Sequence, residues 1–322
     1  MNQQAFVFYL DTFDAAIRAF NGAKAAEAVT RVAKAGARDE RALFGLYEKV
    51  RDAVDHIAAE HPTVVEPVLV AADKAFDEFF PLVRTPHAWP AMALSSLCED
   101  ARRPADAARW DRRVLEILGK LRHEQKQQMI ASSRHTLAEH LFDAGSFDEA
   151  FTEAAAVLAS GHADEQTRVG ALQVQADSMR SLERFDEALE LHRQVLVIYE
   201  DEIKPPQTVR IVATLLVMVT LYRERGEYSE AILLAERALK TAENGKMGVL
   251  AIGVICDNLG QLWQERAHFA DAKKYLERAL ELYKEGEADE EDLQDVERRL
   301  SLLDTIIAAD PEQQIPTSEE NP

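Results

Sequence analysis

The sequence predicts an all-α fold, an α-solenoid of stacked helix-turn-helix repeats with an N-terminal helical cap. Three observations support this. The chain of 322 residues is 47% hydrophobic and 29% charged, but it contains only 13 Gly and 11 Pro, a composition rich in helix formers. One pattern of small and large residues recurs five times. Outside that pattern, apolar residues recur at intervals of three and four, the spacing of one helical face.

Residues 1–85 are predicted to form a helical bundle or a set of degenerate repeats. The first helix carries its apolar face on Phe6, Leu10, Phe13, Ile17 and Phe20, and we expect Asn21-Gly22 to end it. A second helix is expected over 23–35. A third is expected to be capped by Asp39 and stopped by Pro62. A fourth is expected over 63–80, with Pro67 tolerated only in its first turn. Pro81, Pro86 and Pro90 mark the junction with the repeats.

Residues 88–285 contain the five repeats. Each has a small residue, a bulky residue three positions later, and about nine positions after that an Ala near the start of a second helix. When this Ala is numbered position 20, the units begin near Ala88, Ala131, Val169, Val212 and Gly253. Small residues at positions 8 and 20 let two antiparallel helices approach closely. Gly145 and Gly226 occupy position 15, where the first helix ends and a left-handed residue is common.

The fifth unit has Leu259, Gly260, Trp263, Ala272, Leu276 and Ala279 at positions 7, 8, 11, 20, 24 and 27. With these residues the sequence resembles the tetratricopeptide repeat family. Its repeat is about 34 residues long, whereas these units are spaced 43, 38, 43 and 41 residues apart. We therefore expect helices that are longer by about a turn, as in the extended repeats of kinesin light chains and bacterial peptide-sensing regulators. The resemblance implies a right-handed superhelix.

In that family the first helix of each repeat lines a concave groove through positions 2, 5, 9 and 12. The resemblance therefore assigns to the groove Trp89, Met92, Ser96, Glu99, Ser132, His135, Glu139, Phe142, Gln173, Asp177, Arg180, Leu216, Thr220, Arg223, Asp257, Gln261 and Gln264. Arg180 and Arg223 either pair within the chain, with Asp177 and Glu224, or bind an acidic group of a partner. Family members that grip a C-terminal carboxylate use Lys and Asn where His135 and Glu139 stand, so that function is disfavoured.

Residues 286–310 are predicted to form a C-terminal capping helix from about Asp289 to Ala309. Its apolar stripe comprises Leu293, Val296, Leu300, Leu303 and Ile307, and its acidic first turn suits a helix N-terminus. Residues 311–322 are polar and acidic, and we expect them to form a disordered tail.

Several function classes are disfavoured. The 37 basic and 57 acidic residues give a net charge of −20, which repels nucleic acid. A secretory signal and a membrane-spanning segment are not expected, and the predicted location is cytoplasmic. The sequence contains no phosphate-binding loop and no nucleophile elbow. His135 and His140 are five residues apart, which separates them on a helix. We predict no enzyme activity, no cofactor and no metal, and we expect Cys98 and Cys256 to be buried thiols.

The function predicted is that of a protein–protein interaction scaffold that binds a protein segment or peptide in its groove. One alternative is a bacterial peptide-responsive signalling regulator that acts on another protein. Another is a structural scaffold that self-associates, so a homo-oligomer is possible. Nucleic acid and membrane are not expected as partners.

Overall fold

The computed structural model describes residues 3–36, 40–58, 60–79, 88–203 and 207–309. These residues form fifteen α-helices and no strand. The helices are α1 (Gln3–Arg18), α2 (Gly22–Gly36), α3 (Glu40–Ile57), α4 (Pro62–Phe79), α5 (Trp89–Asp100), α6 (Pro104–Lys120), α7 (Lys126–Asp143), α8 (Phe147–Ser160), α9 (Glu165–Ser181), α10 (Phe185–Val197), α11 (Thr208–Glu224), α12 (Tyr228–Asn244), α13 (Val249–Glu265), α14 (Phe269–Glu285) and α15 (Glu290–Ala309). The all-α prediction is confirmed.

The chain divides into two compact units, Met1–Leu182 and Glu183–Pro322. In the first unit, α2 packs against both α1 and α4, and the chain then continues through helix pairs up to α9. The second unit begins with α10, which continues into a π-helical turn over Ile198–Glu202. Its helices then pack in chain order, and α15 packs on α14. Each unit is thus built from antiparallel helices that bury their apolar faces against their neighbours, as a helical-repeat solenoid requires.

The N-terminal helices differ from the prediction at their ends. Phe20, not a glycine, adopts the left-handed conformation after α1, with φ of 50°. Asn21 caps α2 instead of ending α1, since its side-chain oxygen accepts a hydrogen bond of 3.0 Å from the backbone N–H of Lys24. Pro67 lies inside α4, beyond the first turn to which the prediction confined it. Asp39, Pro81, Pro86 and residues 311–322 lie outside the described residues.

The first helix of most repeats is longer than the family pattern, as predicted. The extra residues lie at its N-terminus: α9 begins at Glu165 although position 1 is Val169, and α13 begins at Val249 although position 1 is Gly253. The addition is about one helical turn in each case. This lengthens the side of the repeat that carries the predicted groove positions.

Burial and backbone conformation follow the predicted repeat positions. The position-20 alanines Ala107, Ala150, Ala188, Ala231 and Ala272 are all 0% exposed. Position 15 has a positive φ in all five repeats, at Arg102, Gly145, Glu183, Gly226 and Ala267. The left-handed ending predicted from two glycines is therefore common to every unit.

The C-terminal helix α15 packs over the last repeat. Val296 and Leu303 of α15 are buried against Ala272, Leu276 and Tyr283 of the last repeat.

Cys98 and Cys256 are buried free thiols, and burial raises the pKa of both. Within the part of the chain that is described, no helix has the length and apolar character needed to cross a bilayer.

Candidate binding face

The predicted groove positions of the first unit lie on one side of α5, α7 and α9. We call this side the first-unit face. Its open residues are Met92, Ser96, Glu99, Ser132 and Glu139, all exposed. Met92 is a large apolar side chain that is 53% exposed. The face therefore combines one exposed apolar group with hydroxyl and carboxylate groups.

The aromatic residues predicted for the groove are engaged within the fold. Trp89 is half-buried and packs edge-on against Tyr47 of α3, with ring centroids 5.5 Å apart. Phe142 packs tilted against Phe147 at the start of α8, with centroids 5.4 Å apart. Both rings hold helices together, and Trp89 links the first repeat to the N-terminal bundle.

His135 fills the space above Gly170, its neighbour on α9. A Cβ atom at Gly170 would overlap the His135 ring, so the small residue there makes room for the imidazole. His135 Nε2 also lies 3.5 Å from the Glu139 carboxylate. His135 is thus a packing residue at the edge of the first-unit face, whereas Glu139 is open to solvent.

Gln173, Asp177 and Arg180 of α9 are all half-buried. Burial raises the pKa of the Asp177 carboxyl, and the positive charge of Arg180 opposes that shift. This electrostatic interaction corresponds to the internal alternative for Arg180.

A polar network that the sequence did not predict lies beneath the first-unit face. The Ser95 hydroxyl donates to Asp111 Oδ1 at 2.6 Å, and His140 Nδ1 donates to Asp111 Oδ2 at 2.6 Å. All three side chains are buried. The hydrogen bond from His140 to Asp111 raises the pKa of the imidazole, and nearby Glu99 also raises it. Because the serine bonds the carboxylate and not the imidazole, this arrangement does not activate the hydroxyl as a nucleophile.

The network forms the floor of a cavity of about 130 Å³. The cavity lies among α5, α6 and α7 and is lined by Met92, Ser95, Ser96, Glu99, Asp111, Val114, Ser133, Thr136 and His140. It therefore opens beside the exposed residues of the first-unit face. The sequence signal that could have located it is Asp111 and His140, polar residues at positions where most repeats carry apolar ones.

In the second compact unit, Glu183–Pro322, the predicted groove residues lie on α11 and α13. Leu216 is half-buried and Thr220 is exposed. Arg223 forms a bidentate ion pair with Glu265 of the next first helix, its Nε lying 2.9 Å from one carboxylate oxygen. The acidic partner of Arg223 is thus Glu265, one repeat further along.

Asp257, Gln261 and Gln264 adjoin the capping helix. Arg299 of α15 pairs with Asp257 at 2.7 Å and with Asp295 at 2.7 Å, and Gln261 donates to Asp257 at 3.2 Å. Gln261 and Gln264 also line a polar cavity of about 380 Å³ together with Glu265, Asp295 and Arg299. The capping helix therefore supplies part of the surface at the end of the second unit.

The geometry defines a helical-repeat protein with exposed polar faces on its first helices. Residues 212–244 and 254–286 match the family model of the tetratricopeptide repeat. The fourth and fifth repeats therefore match the tetratricopeptide repeat model, and the chain has a tetratricopeptide-type solenoid fold. No curated protein sequence shows significant similarity to the chain.

Solved structures with a similar fold share little sequence with this chain. BtubC (BKLC) from P. vanneervenii is 17% identical, with a TM-score of 0.54 over 76% of this chain and 91% of that one. The apo form of RapI is 12% identical, with a TM-score of 0.51 over 82% and 99%. The STAND protein PH0952 of Pyrococcus horikoshii, which has a tetratricopeptide repeat sensor, is 14% identical, with a TM-score of 0.51 over 94% and 42%. At these identities the likeness is one of fold.

Proposed function

We propose that this protein is an interaction scaffold that binds a protein segment or peptide along the first-unit face. The observation that carries the proposal is the exposed side of α5 and α7, where Met92, Ser96, Glu99, Ser132 and Glu139 are all open to solvent. Among the described residues of the first unit, no helix covers these side chains. Tetratricopeptide-type repeats present such a surface because their second helices take the opposite side.

The chemistry of the face favours a segment with one apolar residue and flanking basic residues. Met92 offers a flexible, polarizable anchor of the kind found at adaptable binding surfaces. Glu99 and Glu139 supply negative charge beside it, in a chain whose net charge is −20. Electrostatic attraction would then speed association, and salt would weaken it.

An acidic partner group at Arg180 and Arg223 has less support. Arg223 is engaged by the carboxylate of Glu265, so a partner carboxylate would have to displace an existing ion pair. Arg180 interacts with Asp177. The first-unit face, which already presents open side chains, needs no such exchange.

A random peptide library displayed on phage tests the proposal. Wild-type protein should enrich a consensus, and the enriched peptides should then bind with an affinity measured by fluorescence polarisation. Met92→Lys should weaken that binding by about tenfold or more, as the loss of an apolar anchor does. Leu233→Lys is the matched control, because Leu233 is a 66% exposed apolar residue on α12, a second helix. Failure to enrich any consensus, or equal losses in both variants, would refute the proposal.

Self-association is a second candidate, supported by the N-terminal helix. Val7 and Phe8 of α1 are 50% and 64% exposed, which leaves two large apolar side chains on the surface of this helix. Sedimentation velocity over a range of concentrations should then show a dimer that Phe8→Ser dissociates. A monomer at all concentrations would rule this candidate out.

A further inference from the structure

The buried network under the first-unit face occupies three positions at which most of the other repeats place apolar side chains; the third repeat has Ser178 at position 10 and His192 at position 24. Positions 8 and 24 of the fifth repeat are Gly260 and Leu276, which contact each other directly. The same two positions of the first repeat are Ser95 and Asp111. Position 10 is His140 in the second repeat. In the first, fourth and fifth repeats this position is Leu, at Leu97, Leu221 and Leu262. A buried polar set commonly adds no stability over well-packed apolar residues. Its presence here therefore calls for a function.

The orientation of His140 directs one ring nitrogen toward the cavity. Asp111 accepts a hydrogen bond from Nδ1 at 2.6 Å, so Nδ1 carries a proton whether the ring is neutral or charged. In the neutral ring, Nε2 is then an acceptor. Its nearest acidic neighbour is Glu99, at 3.6 Å, which is too far for a hydrogen bond. Only 5% of the His140 side chain is exposed, and the residue lines the cavity, so a ligand in the cavity can donate to Nε2.

The size of the cavity limits what it can hold. Sites for whole small molecules are commonly about 300–1,000 Å³, and this cavity is about 130 Å³. A water molecule takes up roughly 30 Å³ in the liquid. The space therefore suits the end of one side chain, with methylene groups passing the exposed Met92 and a polar head reaching the floor.

The charge on the lining selects the sign of that head. Among the lining residues, α5 contributes Glu99, α6 contributes Asp111 and α7 contributes His140, and the other six are uncharged. The sum is −2 with a neutral imidazole and −1 with a protonated one. An anion would meet two carboxylates. A cation would meet two carboxylates, the serine and threonine oxygens and, in the neutral ring, the acceptor Nε2.

We propose that this cavity binds the ammonium group of a lysine side chain from the segment that lies on the first-unit face. The proposal rests on the proposed function for the identity of the partner, although the cavity can be tested without it. The ammonium donates to His140 Nε2 and to the Glu99 carboxylate, and the four-carbon lysine stem lies along Met92. Protonation of His140 removes the acceptor and adds a positive charge, so binding is weaker at acid pH.

The test uses n-butylammonium chloride as a lysine-head probe on the full chain, followed by NMR of the His140 imidazole. We expect saturable shifts at millimolar probe and tighter binding at about pH 8.5 than at about pH 5.5. Glu99→Gln should weaken binding by about threefold to fivefold, the range of a partly exposed ion pair. Asp100→Asn is the matched control, since it removes the same charge from the neighbouring exposed residue of α5, outside the cavity lining. It should leave binding unchanged.

Two comparison probes decide between outcomes. Neutral n-butanol and anionic butyrate should leave the His140 signals unshifted at the same concentration. Binding of butyrate, equal binding of butanol, or no saturation by butylammonium would overturn the proposal. In enriched peptides, a lysine whose replacement by norleucine costs affinity in the wild type but not in Glu99→Gln would support it. If no peptide is enriched but butylammonium binds, the proposed function fails and this site stands. If peptides bind through Met92 and butylammonium does not, the reverse holds.

Discussion

A methyl group added at Gly260 has no space to occupy. Its Cβ would lie 2.6 Å from Cγ and 2.7 Å from Cδ2 of Leu276, and 3.3 Å from the backbone oxygen of Ala272. Favourable carbon contacts lie at about 3.5–4.0 Å. Leu276 and Ala272 are both 0% exposed, so neither can move aside into solvent.

The magnitude follows from two opposing effects. Replacing Gly by Ala in a helix interior stabilises it by about 1 kcal/mol, and overpacking a buried contact costs about 1–3 kcal/mol. Since the overlap is with a buried branch point, we expect Gly260→Ala to lower the free energy of unfolding by about 1–2 kcal/mol. Gly45→Ala is the control: Gly45 lies inside α3 with no atom within 4 Å of its added Cβ, and it should gain up to about 1 kcal/mol.

Urea unfolding followed by circular dichroism measures both variants, and a double-mutant cycle isolates the contact. Leu276→Ala removes the overlapping atoms at its own cost of about 2–5 kcal/mol. In that background Gly260→Ala should become stabilising, as Gly45→Ala is. If Gly260→Ala stabilises the wild-type chain, or if its effect is the same with and without Leu276, then position 8 does not face position 24 and the reasoning is wrong.

Three further predictions follow from the described contacts. Ala267 has a φ of 60°, so Ala267→Gly should relieve backbone strain and raise the free energy of unfolding by about 1 kcal/mol. Arg266→Gly, at a residue with a φ of −81°, should give no gain, and equal effects in urea unfolding would contradict this. The pKa of His140 is raised in the folded state, so its stabilising contribution is complete below about pH 6.5 and is lost as pH rises through the folded-state pKa. The stability difference between wild type and His140→Gln should therefore be larger at about pH 5.5 than at about pH 8.5, and a pH-independent difference would refute it. Arg299→Ala should destabilise the chain by about 1–3 kcal/mol because it leaves the mostly buried Asp257 carboxylate without its counter-charge. Adding Asp257→Ala should recover part of that loss in thermal unfolding, whereas additive losses would show that the pair is not coupled.

The sequence predicted the repeat frame because that frame depends on side-chain volume. Small residues such as Ala272 and Gly260 recur where two helices approach, and volume is a property of residue type. The extra helical length was also predicted from the repeat spacing. Its location at the N-terminus of the first helices was not, since spacing alone does not say which end grows.

Other features could not be predicted because they depend on packing around the residue. Arg102, Glu183 and Ala267 adopt the left-handed conformation that the sequence indicated only for glycine, since the close helix pair fixes the turn whatever residue occupies it. The buried network joins Ser95, Asp111 and His140 across separations of 16 and 29 residues, and each of these types is common on a surface. Trp89 was predicted to face a partner, but the sequence could not show that Tyr47 lies beside it.

The polar network also distinguishes the first and second repeats from the others as packing partners. Stacked repeats with purely apolar contacts are nearly interchangeable, so an array can skip or exchange a unit while it folds. If α9 stacked where α7 belongs, position 10 would bring Ser178 to Asp111 instead of His140. The buried carboxylate would then lose the hydrogen bond that the imidazole donates, and a buried polar group that loses a partner is destabilising. The network thus makes the first and second repeats mutually specific neighbours, and we expect an artificial array that separates these two repeats to fold poorly at that junction.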